Sequence, residues 1–423
     1  MPYYLLLLFT LLLCSCHNDD PAPGPVEPGS VTARRTVLVY MSAQNSLINN
    51  VAADSAEIMN GRQYLANNDR MLFFIDDGQK PRLYRVARQW SQPQLVQQWS
   101  HDFCSTDPNT LQSLLQWVKT QFPAQEYGLV MWSHADGWLP ATNTDYPIKE
   151  MTYAAARPFS FGIDTDNNSV WTDDGTQMNV TDMAQAIAQS GMHCRYILFD
   201  ACLMQNLEVA YALRHATDYV VASPMSIHSA GAYYTHLLRS GLFAQSPDSI
   251  ALTYYNDVVN YADSIYDHMG IAISCIRTDQ LEPLAALMKQ ALPHSLLANG
   301  QSADMAQVLS YQNYTYRFYW RPHNYDARQS INTLFAEPYR TQLQQALDRA
   351  VLAHFGTSSI YVGPGYNTFF TIPTTTDNFR SVSMFVPQSI YTNNAERCRY
   401  GDLNLCFRQT EWYKACGFDA VGW

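Results

Sequence analysis

The chain predicts an α/β fold, with a mostly parallel sheet carrying helices on both faces and a more helical C-terminal subdomain. Two observations predict the sheet. Strand-length apolar runs alternate with amphipathic helical segments through the first half of the chain. The runs are apolar at successive positions, which calls for cover on both faces. A third observation separates the second half, where helical periodicity dominates and strand runs are sparse.

The elements follow in order. "RTVLVYMSA" (35–43) reads as a buried strand, and "NSLINNVAADSAEIMN" as a helix with Asn45 as candidate N-cap. "RMLFFIDDG" is the next strand, with "RLYRVA" beside it as a hairpin partner. "DPNTLQSLLQWVKTQF" is an amphipathic helix capped by Asp107, with Pro108 at its first position. "YGLVMWSH", "RYILFDAC" and "DYVVASP" are strands, separated by the helices "NVTDMAQAIAQS" and "MQNLEVAYALRHA". Further on, "PDSIALTYYNDVVNYADSIYDH", "QLEPLAALMKQALPHSLLA" and "PYRTQLQQALDRAVLAHF" read as helices, and "GIAISCIRT" and "SVSMFVP" as strands. "LFAQSPDS" breaks the pattern near residue 240. The organisation is therefore a core over 35–240 and a C-terminal helical subdomain over 241–423, whose strands extend the sheet.

The N-terminus carries an address. "YYLLLLFTLLLCSC" is an apolar stretch too short for a comfortable membrane span. It resembles a bacterial lipobox, although Met1–Tyr4 carries no Lys or Arg. That resemblance implies a signal peptide over 1–15, lipidation of Cys16, and anchoring in the cell envelope. An ordinary signal peptide cut nearby is the alternative. The following Pro-, Gly- and Asp-rich segment, 16–34, reads as a flexible tether. Beyond Cys14 and Cys16 there are Cys104, Cys194, Cys202, Cys275, Cys398, Cys406 and Cys416. The last three cluster, so a disulfide among them is expected, with connectivity open.

Composition excludes some functions. The formal net charge is −11 and only 15% of residues are charged, with no basic run. A phosphate-tracking nucleic-acid surface is not expected. There is no G-x-S-x-G elbow, Walker loop or H-E-x-x-H motif, and no C-x-x-C pair for zinc. No cofactor is expected. "DTDNNSVWTDDG" (164–175) invites comparison with a calcium loop, but Ser169 stands where Gly is required and Gly175 where the bidentate Glu belongs. It reads as an acidic hairpin turn, with calcium binding in another geometry as the minor alternative.

Cysteine–histidine chemistry remains. Ligands of parallel sheets bind beyond the C-terminal strand ends, and both His134 and Cys202 stand at such ends. A thiol attacks a carbonyl as thiolate, so it needs a base that can later protonate the leaving amine. A helix starting near Leu203 would set its positive end beneath the thiol. The acyl oxygen needs backbone donors, for which the amides of Ala135 and Cys202 are candidates.

"RTVLVYMSAQNSL", "LVMWSHADGWLP" and "YILFDACLMQNLEVAYAL" resemble the strand-end motifs of clostripain-like cysteine peptidases, which share a caspase-like fold. The resemblance implies His134 as catalytic histidine, Cys202 as nucleophile, and Asp200 as an acid of the pocket for a basic side chain. A structural hydrogen-bond acceptor is the other reading of Asp200. The family usually has Gly after the histidine, where this chain has Ala135. Relatives often carry an acid in the loop spanning 222–234, where this chain has none, so Arg or Lys specificity rests on Asp200 alone, with His228 and Met225 as residues that would shape a different pocket. Family members can be activated by cleavage between the two motifs, which makes Lys149 the candidate cut site and Arg157 the second. The expected function is an exported endopeptidase acting on polypeptides, cutting after Arg or Lys. The alternative is a weak or inactive surface lipoprotein binding protein or glycan on the same scaffold.

Overall fold

The computed structural model describes residues 32–140, 160–165, 175–312, 322–362, 369–371, 378–393 and 401–423. Cys16, Lys149, Arg157 and Cys398 lie outside these residues. In chain order the elements that position the site are β1 (Ala33–Ser42), α1 (Val51–Gly61), β2 (Asp69–Asp76), β3 (Arg82–Val86), β4 (Gln94–Gln98), α2 (Pro108–Gln121), β5 (Ala124–Trp132), β6 (Phe161–Asp164), β7 (Thr176–Met178), α3 (Val180–Gln189), β8 (Tyr196–Asp200), α4 (Leu207–Ala212), β9 (Tyr219–Ala222), α5 (Tyr234–Ser240), α6 (Asp248–Asn260), β10 (Ala272–Arg277), α7 (Leu281–Ala291), β11 (Tyr325–Asp326), α8 (Ala327–Leu334), α9 (Tyr339–Ala350) and β12 (Val351–Gly356).

Strand order in the nine-stranded main sheet is β12-β10-β9-β8-β5-β1-β2-β3-β4. The central strands β9, β8, β5, β1 and β2 are parallel, and antiparallel pairs close both edges. β10 and β12 therefore bring the second half of the chain into the same sheet.

Side-chain parity explains the continuous apolar runs. Leu38 and Tyr40 of β1 face one core, while Val37, Val39 and Met41 face the other. Ile197 and Phe199 of β8 divide from Tyr196 and Leu198 in the same way. The first core is closed by α2, α3, α4, α7 and α9, and the second by α1, α5 and α6. Each fully buried Val, Leu or Phe contributes about 1.5–3 kcal/mol, so these interior strands are strongly held. Among the described residues, no helix is long and apolar enough to cross a membrane.

Several local expectations are corrected. Asn45 does not cap α1, which begins at Val51; its amide donates to Ser42 O and Ile163 O, each at 2.9 Å, and pins the turn after β1. "VLAHF" continues as strand β12, because α9 ends at Ala350 and β10 supplies an edge to pair with. "QLVQQ" is strand β4, half-buried and paired with β3. Cys416 carries a buried free thiol, so it joins no disulfide with Cys398 or Cys406. The Asp107 cap is present, its carboxylate accepting from Asn109 N at 2.8 Å.

Candidate active site

Register brings the two motifs together. β5 and β8 pair in parallel with Trp132 opposite Asp200. His134 and Cys202 each follow by two residues, at the ends of neighbouring strands about 5 Å apart. The loops beyond also meet. Gly137 takes φ 72°, and a Cβ there would lie 2.8 Å from both Leu203 O and Asn206 Nδ2. Only glycine fits so tight and left-handed a position.

The histidine loop is tied to β6. Gly162 N donates to His134 O at 2.8 Å, and Asp136 N to Ser160 O at 3.4 Å, around the Ala135–Phe161 bridge. In this antiparallel pattern the N–H of Ala135 points away from β6. Ala135 is not among the residues with positive φ, so the conformational freedom of glycine is not needed here. On the imidazole, Nε2 hydrogen-bonds Ser46 Oγ at 2.9 Å. Ser46 comes from the turn after β1 and was not singled out by sequence, because its pairing with His134 spans 88 positions.

The cysteine loop is more strained. Leu203, directly after Cys202, takes φ 62°, an uncommon conformation for a branched side chain. Two anchors hold it: Leu203 N donates to Met225 O at 3.0 Å, and Asn206 Nδ2 to Leu203 O at 2.8 Å. This turn delays α4, which starts at Leu207 and is capped by Asn206 accepting from Val209 N. The expected helix terminus beneath the thiol is therefore not there. Instead Ile227 N donates to Cys202 Sγ at 3.4 Å. Burial pushes the Cys202 thiol up to about 11, with Asp136 and Asp200 adding to the rise and the Ile227 amide and Ser226 hydroxyl opposing it. The thiol is protonated at neutral pH in this state.

Asp200 is 4% exposed and fully engaged. Ala232 N lies 3.1 Å from both carboxylate oxygens, Tyr234 OH donates to Oδ2 at 2.9 Å, and Tyr254 OH to Oδ1 at 3.0 Å. Gly231, φ 62°, packs so closely that a Cβ would meet Oδ2 at 2.8 Å. Burial raises the Asp200 carboxyl above its ordinary range, against these donors. Asp54 and Glu57 lie in the same region, pushed up by burial to about 9 and about 7. Trp132 Nε1 donates to Asp54 Oδ2 at 2.7 Å, and Tyr234 N to Glu57 Oε2 at 2.9 Å. In the neighbouring loop Met225 is core, while His228 faces Asp267 at 3.3 Å. Asp267 thus brings an acid to this loop from far along the chain.

β6 and β7 form an antiparallel pair that carries Asp164. Among the described residues no three His, Cys, Asp or Glu side chains are grouped as a metal cluster.

The clostripain family model matches residues 39–360. Three solved structures are similar along nearly their whole length. A secreted C11 cysteine protease from Bacteroides thetaiotaomicron, in complex with an irreversible peptide inhibitor, is 26% identical with a TM-score of 0.74, covering 92% of this chain and 100% of that one. An inactive zymogen C11 protease from Parabacteroides distasonis is 24% identical with a TM-score of 0.69, covering 91% and 99%. A second secreted C11 cysteine protease from Bacteroides thetaiotaomicron is 20% identical with a TM-score of 0.71, covering 91% and 99%. The last two speak for the fold alone. A search of curated proteins finds no match.

Proposed function

The chain belongs to the clostripain family and is a cysteine peptidase; from that premise we propose an exported endopeptidase in which Cys202 and His134 form the catalytic dyad. The observation that carries this is the Trp132–Asp200 register, which sets both residues at adjacent strand ends. His134 removes the Sγ proton as substrate binds, and the thiolate attacks the scissile carbonyl carbon. The N–H groups of Ala135 and Cys202 receive the developing oxyanion. His134 then protonates the leaving amine, and water hydrolyses the thioester. Ser46 Oγ, hydrogen-bonded to Nε2, holds the imidazole in place.

Cleavage after Arg or Lys is part of the proposal. Its support is the buried Asp200 carboxylate behind the strand ends, which accepts from Ala232 N and from the Tyr234 and Tyr254 hydroxyls. Because Asp200 is saturated with donors, it acts from behind the pocket wall, holding Ala232 and the Tyr234 and Tyr254 hydroxyls while contributing negative potential. Self-cleavage at Lys149 and lipidation at Cys16 complete the proposal, on sequence grounds. The inactive binding-protein alternative is not favoured by the family match. Hydrolysis of a peptide library by the mature chain, with and without a thiol alkylator, tests the reading. Alkylator-sensitive cleavage after basic residues supports it, and cleavage that survives full alkylation contradicts it.

A further inference from the structure

Helices α5 and α6 pack over the second core and leave between them a cleft of about 430 Å³. Its walls include His236 and Arg239 from α5, Asn256, Asp257 and Asn260 from α6, and Tyr261 just beyond. The peptidase chemistry uses none of them. Asn260 lies one turn beyond Asn256 and Asp257, so the three share one face of α6. Asparagine is a poor helix former, and Asn256 stands exposed within the helix, where it adds nothing to the core.

One wall is built on a buried pair. Asp257 is 3% exposed, its Oδ1 lies 2.6 Å from His236 Nδ1, and its Oδ2 has no hydrogen-bond partner. A carboxylate only accepts, so the ring proton sits on Nδ1 and Nε2 is left as an acceptor. The imidazole stands edge-on to Tyr233 with centroids 4.5 Å apart, and tilted against Tyr261 at 5.9 Å. Its orientation is therefore set before any ligand arrives. Burial raises the Asp257 carboxyl above its ordinary range, with His236 and Arg239 opposing the rise. A buried carboxylate oxygen without a donor is costly unless a ligand or water supplies one.

The lining decides the class of ligand. Arg239 and Asp257 offset each other, so the cleft has no net attraction for an anion or a cation. It still offers donors on the Arg239 guanidinium, acceptors on Asp257 and His236, and both kinds on the Asn256 and Asn260 amides. A matching ligand is neutral and carries groups that donate and accept together. Sugar hydroxyls do both, and planar Asn, Asp and Arg side chains can each meet two adjacent hydroxyls. The Tyr261 ring adds a flat apolar surface for the C–H face of a pyranose. We propose that the α5–α6 cleft binds a neutral sugar residue, with His236 and Asp257 accepting from its hydroxyls and Asn256, Asn260 and Arg239 completing the contacts. The volume falls in the range of small-ligand pockets. The site goes beyond the peptidase assignment and stands whether or not the proposed dyad is active.

The test is saturation-transfer NMR and calorimetric titration of the mature chain with methyl α-mannoside, methyl β-galactoside and N-acetylglucosamine, with inorganic phosphate and lysine as charged comparators. Wild type should bind at least one sugar saturably at a single site, and neither comparator should displace it. Asp257→Asn should abolish binding. The double variant Asn256→Ala, Asn260→Ala changes exposed positions only, and should bind at least about tenfold more weakly while Tm is not lowered and peptide hydrolysis is unchanged. Absence of saturable binding of all three sugars to wild type overturns the site. Undiminished binding in the double variant also overturns it, placing any sugar elsewhere, and displacement of the sugar by phosphate or lysine overturns the neutral class of ligand.

Discussion

Trp132 and Asp200 stand opposite each other at the ends of β5 and β8, and they point into the same core layer. Trp132 donates to Asp54, while Asp200 gathers Ala232, Tyr234 and Tyr254. The sheet register and this polar layer together determine where His134 and Cys202 emerge.

Ser46 is a positioning residue for His134. Ser46→Ala should lower kcat on the order of tenfold with KM little changed, and should shift the acid limb of the pH–rate profile. Ser46→Thr keeps the hydroxyl and should restore most of the rate. An unchanged kcat and pH profile in Ser46→Ala would remove it from the mechanism.

Asp200 organises the pocket wall. Asn in its place offers an amide where two tyrosine hydroxyls and an N–H now donate, so a buried donor loses its partner. Asp200→Asn should lower Tm by several degrees and raise KM for every peptide. A variant of unchanged Tm that loses only its preference for basic residues would show direct contact with the substrate cation.

Glu208 makes stability depend on pH. It is 2% exposed, its Oε1 accepts from Phe385 N at 2.8 Å, and its Oε2 has no partner. Burial raises its carboxyl from 4.5 to about 7, against the Phe385 amide. The folded state holds this proton more tightly than the unfolded chain, so the contribution is complete below about pH 4.5 and is lost as pH rises towards 7. The integrated effect is on the order of 3 kcal/mol. Urea unfolding from pH 4.5 to 8 should show stability falling with pH, and Glu208→Gln should flatten that fall. Glu57, raised to about 7, titrates in the same window and will preserve part of the slope.

Gly128 in β5 admits Tyr196 across the sheet. A Cβ at Gly128 would lie 2.4 Å from Tyr196 Cζ and hydroxyl oxygen, and that hydroxyl donates to Leu242 O at 2.8 Å. Gly128→Ala should destabilise the fold by about 1–3 kcal/mol in denaturant unfolding. A wild-type midpoint would show that the ring can move aside.

The interior strands were legible because burial on both faces writes an unbroken apolar run, as in "RTVLVYMS" and "YILFD". β4 was not, because its glutamines serve a half-buried edge that needs no apolar face. β12 reads as helix because "RAVLAHF" continues an amphipathic period, and only the free edge of β10 makes it a strand. The histidine and cysteine were visible as residue types at strand ends. Ser46, Asp54 and Asp267 were not, since each acquires its role from a partner at least 39 positions away. The strain at Leu203 has no sequence signature either, as neither glycine nor asparagine marks it.

The most direct measurement of the central claim is the site and His134-dependence of covalent labelling by a thiol-directed peptide ending in Arg or Lys, read by mass spectrometry of the digested chain. The account predicts a single adduct on Cys202, lost in Cys202→Ala and slowed at least about a hundredfold in His134→Ala. An adduct on another cysteine, or equal labelling without His134, would contradict it.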